Sequence, residues 1–212
     1  MLIDRKVFAV CAAMGLTALP GIGHANLITN GNLASVCGSG SFCTYNSGDS
    51  TSISNWSVTS GSVDLITGYW QAPPGGGNSV DLDGLAPGGI QTSFATNAGT
   101  EYTLSFELSG NPDGGNPLKT VQVDVAGVIQ TFTFDTSTMG SSKSNMKWVL
   151  ETLTFVATGA TTSLKFTSLD GSGPYGAVIA NVDVEVPEPG TLALLGAGLL
   201  ATAGVMRRKR RS

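Results

Sequence analysis

Glu101-Tyr102-Thr103-Leu104-Ser105-Phe106-Glu107-Leu108-Ser109 is the stretch that decides the fold. Its large apolar residues fall at every second position and its polar residues at the positions between, the rhythm of a strand with one face buried and one face wet. A helix would need apolar residues three and four apart. The same period of two recurs at Val121, Val123 and Val125, at Phe132 and Phe134, at Leu153 and Phe155, and at Leu164 and Phe166. Val63 with Leu65, Val80 with Leu82, Ile90 with Phe94, and Ala180 with Val182 and Val184 extend it over most of the chain. Between these runs lie Pro73-Pro74-Gly75-Gly76-Gly77, Ala86-Pro87-Gly88-Gly89, Asn111-Pro112-Asp113-Gly114-Gly115-Asn116-Pro117 and Asp170-Gly171-Ser172-Gly173-Pro174, all turn-forming. Many short strands joined by turns, with no crossover helix, predict an all-β domain of antiparallel sheets packed face to face, a β-sandwich or jelly roll.

Both ends of the chain read differently. Asp4-Arg5-Lys6, the apolar run Val7 to Leu19 and the small-residue site Gly23-His24-Ala25 form a secretory signal over residues 1–25, to be removed by signal peptidase. His24, the only histidine, leaves with it, and with it go Ser-His-Asp and Cys-His catalysis and the common zinc sites. At the other end Pro187-Glu188-Pro189 precedes the uncharged run Gly190 to Met206 and the basic stop Arg207-Arg208-Lys209-Arg210-Arg211. As a helix, that run would be roughly 25 Å long, against a hydrocarbon core of about 30 Å, a marginal single span with its cations on the cytoplasmic side.

The layout of residues 187–212 resembles the PEP-CTERM sorting signal of Gram-negative bacteria that make exopolysaccharide. That resemblance implies recognition and cleavage by an exosortase-type protease, with the C-terminal helix a transient or permanent membrane anchor. An ordinary single-span anchor is the alternative, although a permanent helix is commonly longer and richer in Leu and Ile.

The segment 26–186 between these ends holds four lysines and thirteen acids and no arginine, a balance of −9. Nucleic acid and anionic lipid need a basic face, so neither is expected as a partner of this domain. Neutral sugars remain compatible. Cys37 and Cys43 are an even pair in an oxidising compartment and are expected to be bonded, pinning one local loop with about 2 kcal/mol.

A second resemblance rests on the order of motifs. Asn30-Gly31-Asn32-Leu33, Ile53-Ser54-Asn55-Trp56-Ser57-Val58, Gly61-Ser62-Val63-Asp64-Leu65-Ile66, Tyr69-Trp70, Ser79-Val80-Asp81-Leu82-Asp83-Gly84, Gly89 to Phe94 and Gly99 to Phe106 follow one another as in the choice-of-anchor C family of bacterial surface proteins, similar to plant cell-wall proteins with the same galactose-binding-like domain. The resemblance implies an eight-stranded type of jelly roll and contact with cell-wall or extracellular polysaccharide. It also implies a structural calcium held by acids near the first and last strands, but those places read Ala34 and Ala180, so that site is expected to be empty and no cofactor is expected. Asn111, Asp113 and Asn116 could converge on another ion, yet their loop also has the composition of a plain tight turn.

Sugar rings stack their C–H faces on exposed aromatics while carboxylates and amides take the hydroxyls. Tyr69 and Trp70, at the entrance to the Pro/Gly loop, and Tyr45 and Tyr175, in Gly-rich surroundings, are the candidate carbohydrate-binding residues. Trp56 and Trp148 lie in strand patterns and read as core. Asp81 and Asp83 share a strand face but read as solvated acids, and Glu101 and Glu107 offer no paired cleft, so glycoside hydrolysis is placed below binding. The expectation is an exported, exosortase-sorted surface or matrix protein, not an enzyme, with a weak polysaccharide-binding sandwich. A non-binding spacer in the exopolysaccharide is the alternative.

Overall fold

A computed structural model describes residues 26–171 and 173–186. The secretory segment 1–25, the sorting tail and the two terminal helices expected there lie outside the described residues. Among the described residues no helix is long and apolar enough to cross a membrane.

The strands are β1 (Phe42–Asn46), β2 (Ser57–Ser60), β3 (Ser62–Ile66), β4 (Ser79–Asp81), β5 (Gly89–Ala95), β6 (Glu101–Gly110), β7 (Leu118–Val125), β8 (Val128–Asp135), β9 (Val149–Val156), β10 (Thr161–Ser168) and β11 (Ala177–Glu185), with one short helix α1 (Thr136–Met139). They build two antiparallel sheets, one ordered β1-β3-β4-β11-β6-β9 and the other β2-β5-β10-β7-β8. The all-β sandwich read from the alternation is the observed architecture, with six and five strands where the resemblance implied eight.

The deciding stretch is β6. Tyr102, Leu104, Phe106 and Leu108 are all buried in the space between the sheets, and burying each is worth about 1.5–3 kcal/mol. Phe106 meets Phe132 and Phe166 edge-on at 5.2 and 5.1 Å, which ties the six-stranded sheet to the other. Trp56 packs into the same core beside Phe166, as its place in the pattern predicts. β7 and β8 are joined by Ala126-Gly127 alone, both with positive φ (52° and 81°), the two-residue turn whose twist matches that of its strands.

Cys37 and Cys43 are joined, their Cα atoms 5.5 Å apart, at the entrance to β1. The chain enters and leaves the domain at one end: Asn26 binds the backbone of Val182 and Val184, and the Leu27 amide donates to the Val184 carbonyl.

Candidate functional site

Alternation along β3, β4 and β11 sends Val63, Leu65, Val80, Leu82 and Ile179 into the sandwich and Asp64, Ile66, Asp81 and Val178 to the opposite face of the six-stranded sheet. That outer face is itself covered. Ile66, Trp70, Met146 and Val178 form a second apolar cluster, with Tyr69 and Trp148 packed against it. Two loops supply the cover and are bonded to each other: the Gln71 amide donates to the Lys143 carbonyl at 2.7 Å, and the Met146 amide donates to Gln71 Oε1 at 2.8 Å. Trp148 reads from its pattern as sandwich core; it packs instead on this outer layer, because the covering loops bury a small apolar patch on the outer face of the sheet.

Beside the covered patch a cleft of about 220 Å³ remains open. Phe42, Tyr69, Trp70 and Tyr175 give its walls, and Thr44, Asp64, Asp81, Asn111 and Asp113 give it polar groups. Tyr69 stands at the junction, its ring edge-on to Phe42 at 5.4 Å and to Trp70 at 5.7 Å. Its hydroxyl donates to Asp113 Oδ2 at 2.7 Å and accepts from Lys143 Nζ at 2.6 Å, while Lys143 also pairs with Asp113 at 3.0 Å and lies 4.0 Å above the ring. The bonds to Tyr69 and then to Asp113 raise the pKa of Lys143. Three loops distant in sequence are thus fastened at one rim.

The floor is acidic. Asp64 and Asp81 are direct partners across β3 and β4. Asp64 accepts from the Thr44 hydroxyl at 2.5 Å; burial raises its pKa and that bond opposes the rise. Asp81 has no accessible surface. Burial pushes its pKa well above the ordinary value, opposed by the Asp83 amide and Asn111 and reinforced by the charges of Asp83 and Asp64. Its oxygens are occupied: Oδ1 accepts from the amides of Asp83 and Gly176, both at 3.0 Å, and Oδ2 accepts from Asn111 Nδ2 at 2.7 Å. Asp81 therefore orients the walls of the cleft. Gly176 fits only because it lacks a side chain, since a Cβ there would lie 2.6 Å from Asp83 Cγ.

Tyr175, 38% exposed, is held from beneath. The buried Lys119 donates to its carbonyl at 2.5 Å and to that of Gly114 at 2.8 Å, and burial lowers the lysine's pKa against the pull of Asp170, Asp81 and Asp83.

Three of the four aromatics singled out from sequence, Tyr69, Trp70 and Tyr175, meet at this cleft. Trp70 is only 7% exposed and donates through Nε1 to Ser79 Oγ at 3.0 Å, so it is a wall and not a free platform. Tyr45 does not join them: Thr44 takes the cleft face of β1, and the next residue must point to the sandwich, where Tyr45 packs against the main core. Asp81 and Asp83, which read from sequence as solvated, are both buried, with Asp81 bonded to the Gly176 amide and Asp83 packed against Gly176. The 111–117 loop is a turn, with Asn111 Oδ1 accepting from the Asp113 amide at 2.9 Å, but two of its polar side chains also serve the cleft. Phe42, Thr44 and Asp64 were missed. Ala34 is exposed and Ala180 is buried in β11, and among the described residues no group of three or more His, Cys, Asp or Glu is placed to hold a metal ion.

The family model described as "Protein of unknown function (DUF642)" matches residues 26–185, the whole of the sandwich. The chain belongs to the DUF642 family. A second model, the PEP-CTERM protein-sorting motif, matches residues 185–211. Halomucin of Haloquadratum walsbyi (strain DSM 16790 / HBSQ001) is 30% identical over 195 residues, covering 85% of this chain. The DUF642 chain spans 2% of halomucin's length. Among solved structures, an arabinose-bound α-L-arabinofuranosidase aligns with a TM-score of 0.50 at 14% identity over 77% of this chain and 27% of that one, a likeness of fold. A family 35 carbohydrate-binding module from Clostridium thermocellum aligns with a TM-score of 0.43 at 16% identity, covering 70% of this chain and 100% of that one.

Proposed function

We propose that this DUF642 protein is exported, sorted by an exosortase-type protease and displayed at the cell surface or in the extracellular matrix, where the cleft on its outer sheet face binds carbohydrate. The observation that carries the binding half is the meeting of Tyr69, Trp70 and Tyr175 with Asp64, Asn111 and Asp113 at one cleft, aromatic faces beside hydroxyl-binding groups. The sorting motif at 185–211 supports the export half. In this reading residues 1–25 are removed by signal peptidase, 26–186 form the binding domain of choice-of-anchor C type, and 187–212 serve as sorting tail and membrane anchor before processing. The protein is a binder and not a catalyst, and neither a metal nor a nucleic acid takes part.

A second reading, a displayed spacer, draws on the burial of Trp70 and the packing of the half-buried Tyr45 against the main core, which leaves fewer free rings than the sequence suggests. A glycan array with the purified protein, in calcium and in chelator, separates the two. Binding that survives chelator and falls about tenfold in Tyr69→Ala supports the lectin, and silence across the array leaves the spacer.

A further inference from the structure

The cleft has a sign as well as a shape. Its lining includes three carboxylates and no cationic side chain; Asp81 has no accessible surface and Asp113 is paired with Lys143, which leaves Asp64 as the carboxylate that an entering group meets. Lys143 reaches the rim, but its ammonium is already committed to the Tyr69 hydroxyl and to Asp113. Lys119 lies beneath the floor with its ammonium on the carbonyls of Gly114 and Tyr175. No arginine occurs between residues 26 and 186 to replace them. A carboxylate entering the cleft would leave water, find no counter-charge and face Asp64, whose hydrogen bond from Thr44 engages only one of its oxygens. A hydroxyl entering the same space can donate to that carboxylate. The volume is below the roughly 300–1,000 Å³ of drug-sized sites, room for about one sugar ring, so the ring that enters cannot hold its charge far from Asp64.

We infer that the cleft accepts sugar residues carrying no carboxylate and rejects uronic acids, with Asp64 the residue that sets this selectivity. The inference rests on the carbohydrate-binding reading. Two like charges about 6 Å apart, in an environment of effective dielectric between 20 and that of water, cost at least several-fold and commonly more than tenfold in affinity. Screening by salt should recover part of that loss at a rim site and less at the floor.

The test uses matched probes: β-galactan, mannan and β-glucan, each before and after oxidation of its C6 hydroxyls to carboxylates, in native gels run with the full-length chain. Retardation by one or more neutral polymers, at least tenfold stronger than by the oxidised partner, is the expected result. Asp64→Asn, which also removes a charged hydroxyl acceptor, should weaken retardation by the neutral polymer and still narrow that ratio several-fold. Should an oxidised polymer retard the protein as strongly as its neutral parent, the selectivity is refuted and carbohydrate binding stands. An unchanged ratio in a folded Asp64→Asn protein refutes the role of Asp64. No retardation by any of the six polymers overturns the inference together with the binding reading beneath it.

Discussion

Replacing Asp83 by Asn should stabilise the protein at neutral pH, and the gain should vanish in acid. Asp83 is 1% exposed, and neither of its oxygens has a hydrogen-bond partner; the Ser168 hydroxyl lies near enough to oppose the shift without meeting bonding geometry. Burial raises its pKa from 3.8 to about 6, with Asp170 adding to the rise and Ser168 and Lys119 resisting it. Between those two values the folded protein holds a proton that the unfolded chain has released. Stability from this group is therefore full below about pH 4, falls as the pH rises through 6 and stays low above. At about 1.36 kcal/mol per tenfold change in proton affinity the interval corresponds to about 3 kcal/mol. Asp83 is less thickly surrounded than Asp81, so solvent screening removes part of this, leaving about 1–2 kcal/mol. Asn has the same shape and cannot ionise. Urea melts of both proteins from pH 4 to 8 should therefore give stabilities that coincide near pH 4 and diverge above pH 6 in favour of Asp83→Asn, the subtraction cancelling the repulsion among the other acids. A variant less stable than the parent at pH 7, by an amount that does not change with pH, would mean that the carboxylate is held by Lys119 and that the argument from burial is wrong.

Phe106→Ala opens a cavity between two edge-on rings and is expected to cost about 3–5 kcal/mol, read as a lower urea midpoint with an unchanged slope. Ala126 holds a φ of 52° in the β7–β8 turn, a conformation that Asn tolerates better, so Ala126→Asn should raise the melting temperature by the equivalent of about 0.5–1 kcal/mol. With Ala34 and Ala180 at the places where the resemblance puts calcium-binding acids, neither added calcium nor chelator should move the melting temperature; a rise with calcium would point to ligands elsewhere.

The sandwich was legible because a strand buried on one face shows it in every second residue, as β6 does from Tyr102 to Leu108, β7 from Val121 to Val125 and β10 at Leu164 and Phe166. β1 was not, since Phe42–Asn46 carries no clean alternation and lies at an edge beside a Gly-rich loop. The cleft was half legible. Tyr69, Trp70 and Tyr175 announce themselves as aromatics beside turns, and the phase of β1 removes Tyr45. Asp64, Asp81 and Asp83 could not be placed, because alternation says which residues leave the sandwich and says nothing about the loops that then cover them. Lys119 did leave a signal: it falls in phase with Val121, Val123 and Val125, on the buried side of β7. A lysine in the apolar phase of a strand is one that must find carbonyls in the interior, and Gly114 and Tyr175 supply them.

Position along β11 bears on how such a domain can work. Its first residues flank the cleft, with Val178 opposite Asp81, whereas Val186 lies eight residues further along, roughly 25 Å at strand rise. Asn26 is fastened at that far end too, through Val182 and Val184. Both points at which the chain joins its terminal segments therefore lie away from Tyr69, Asn111, Asp113 and Tyr175 at the cleft, although the loop that carries Tyr69 and Trp70 also reaches β11, where Asn181 donates to the Pro74 carbonyl. The proposed ligand would therefore meet the domain at the end of β11 opposite to the one at which Glu185 and Val186 leave the sheet.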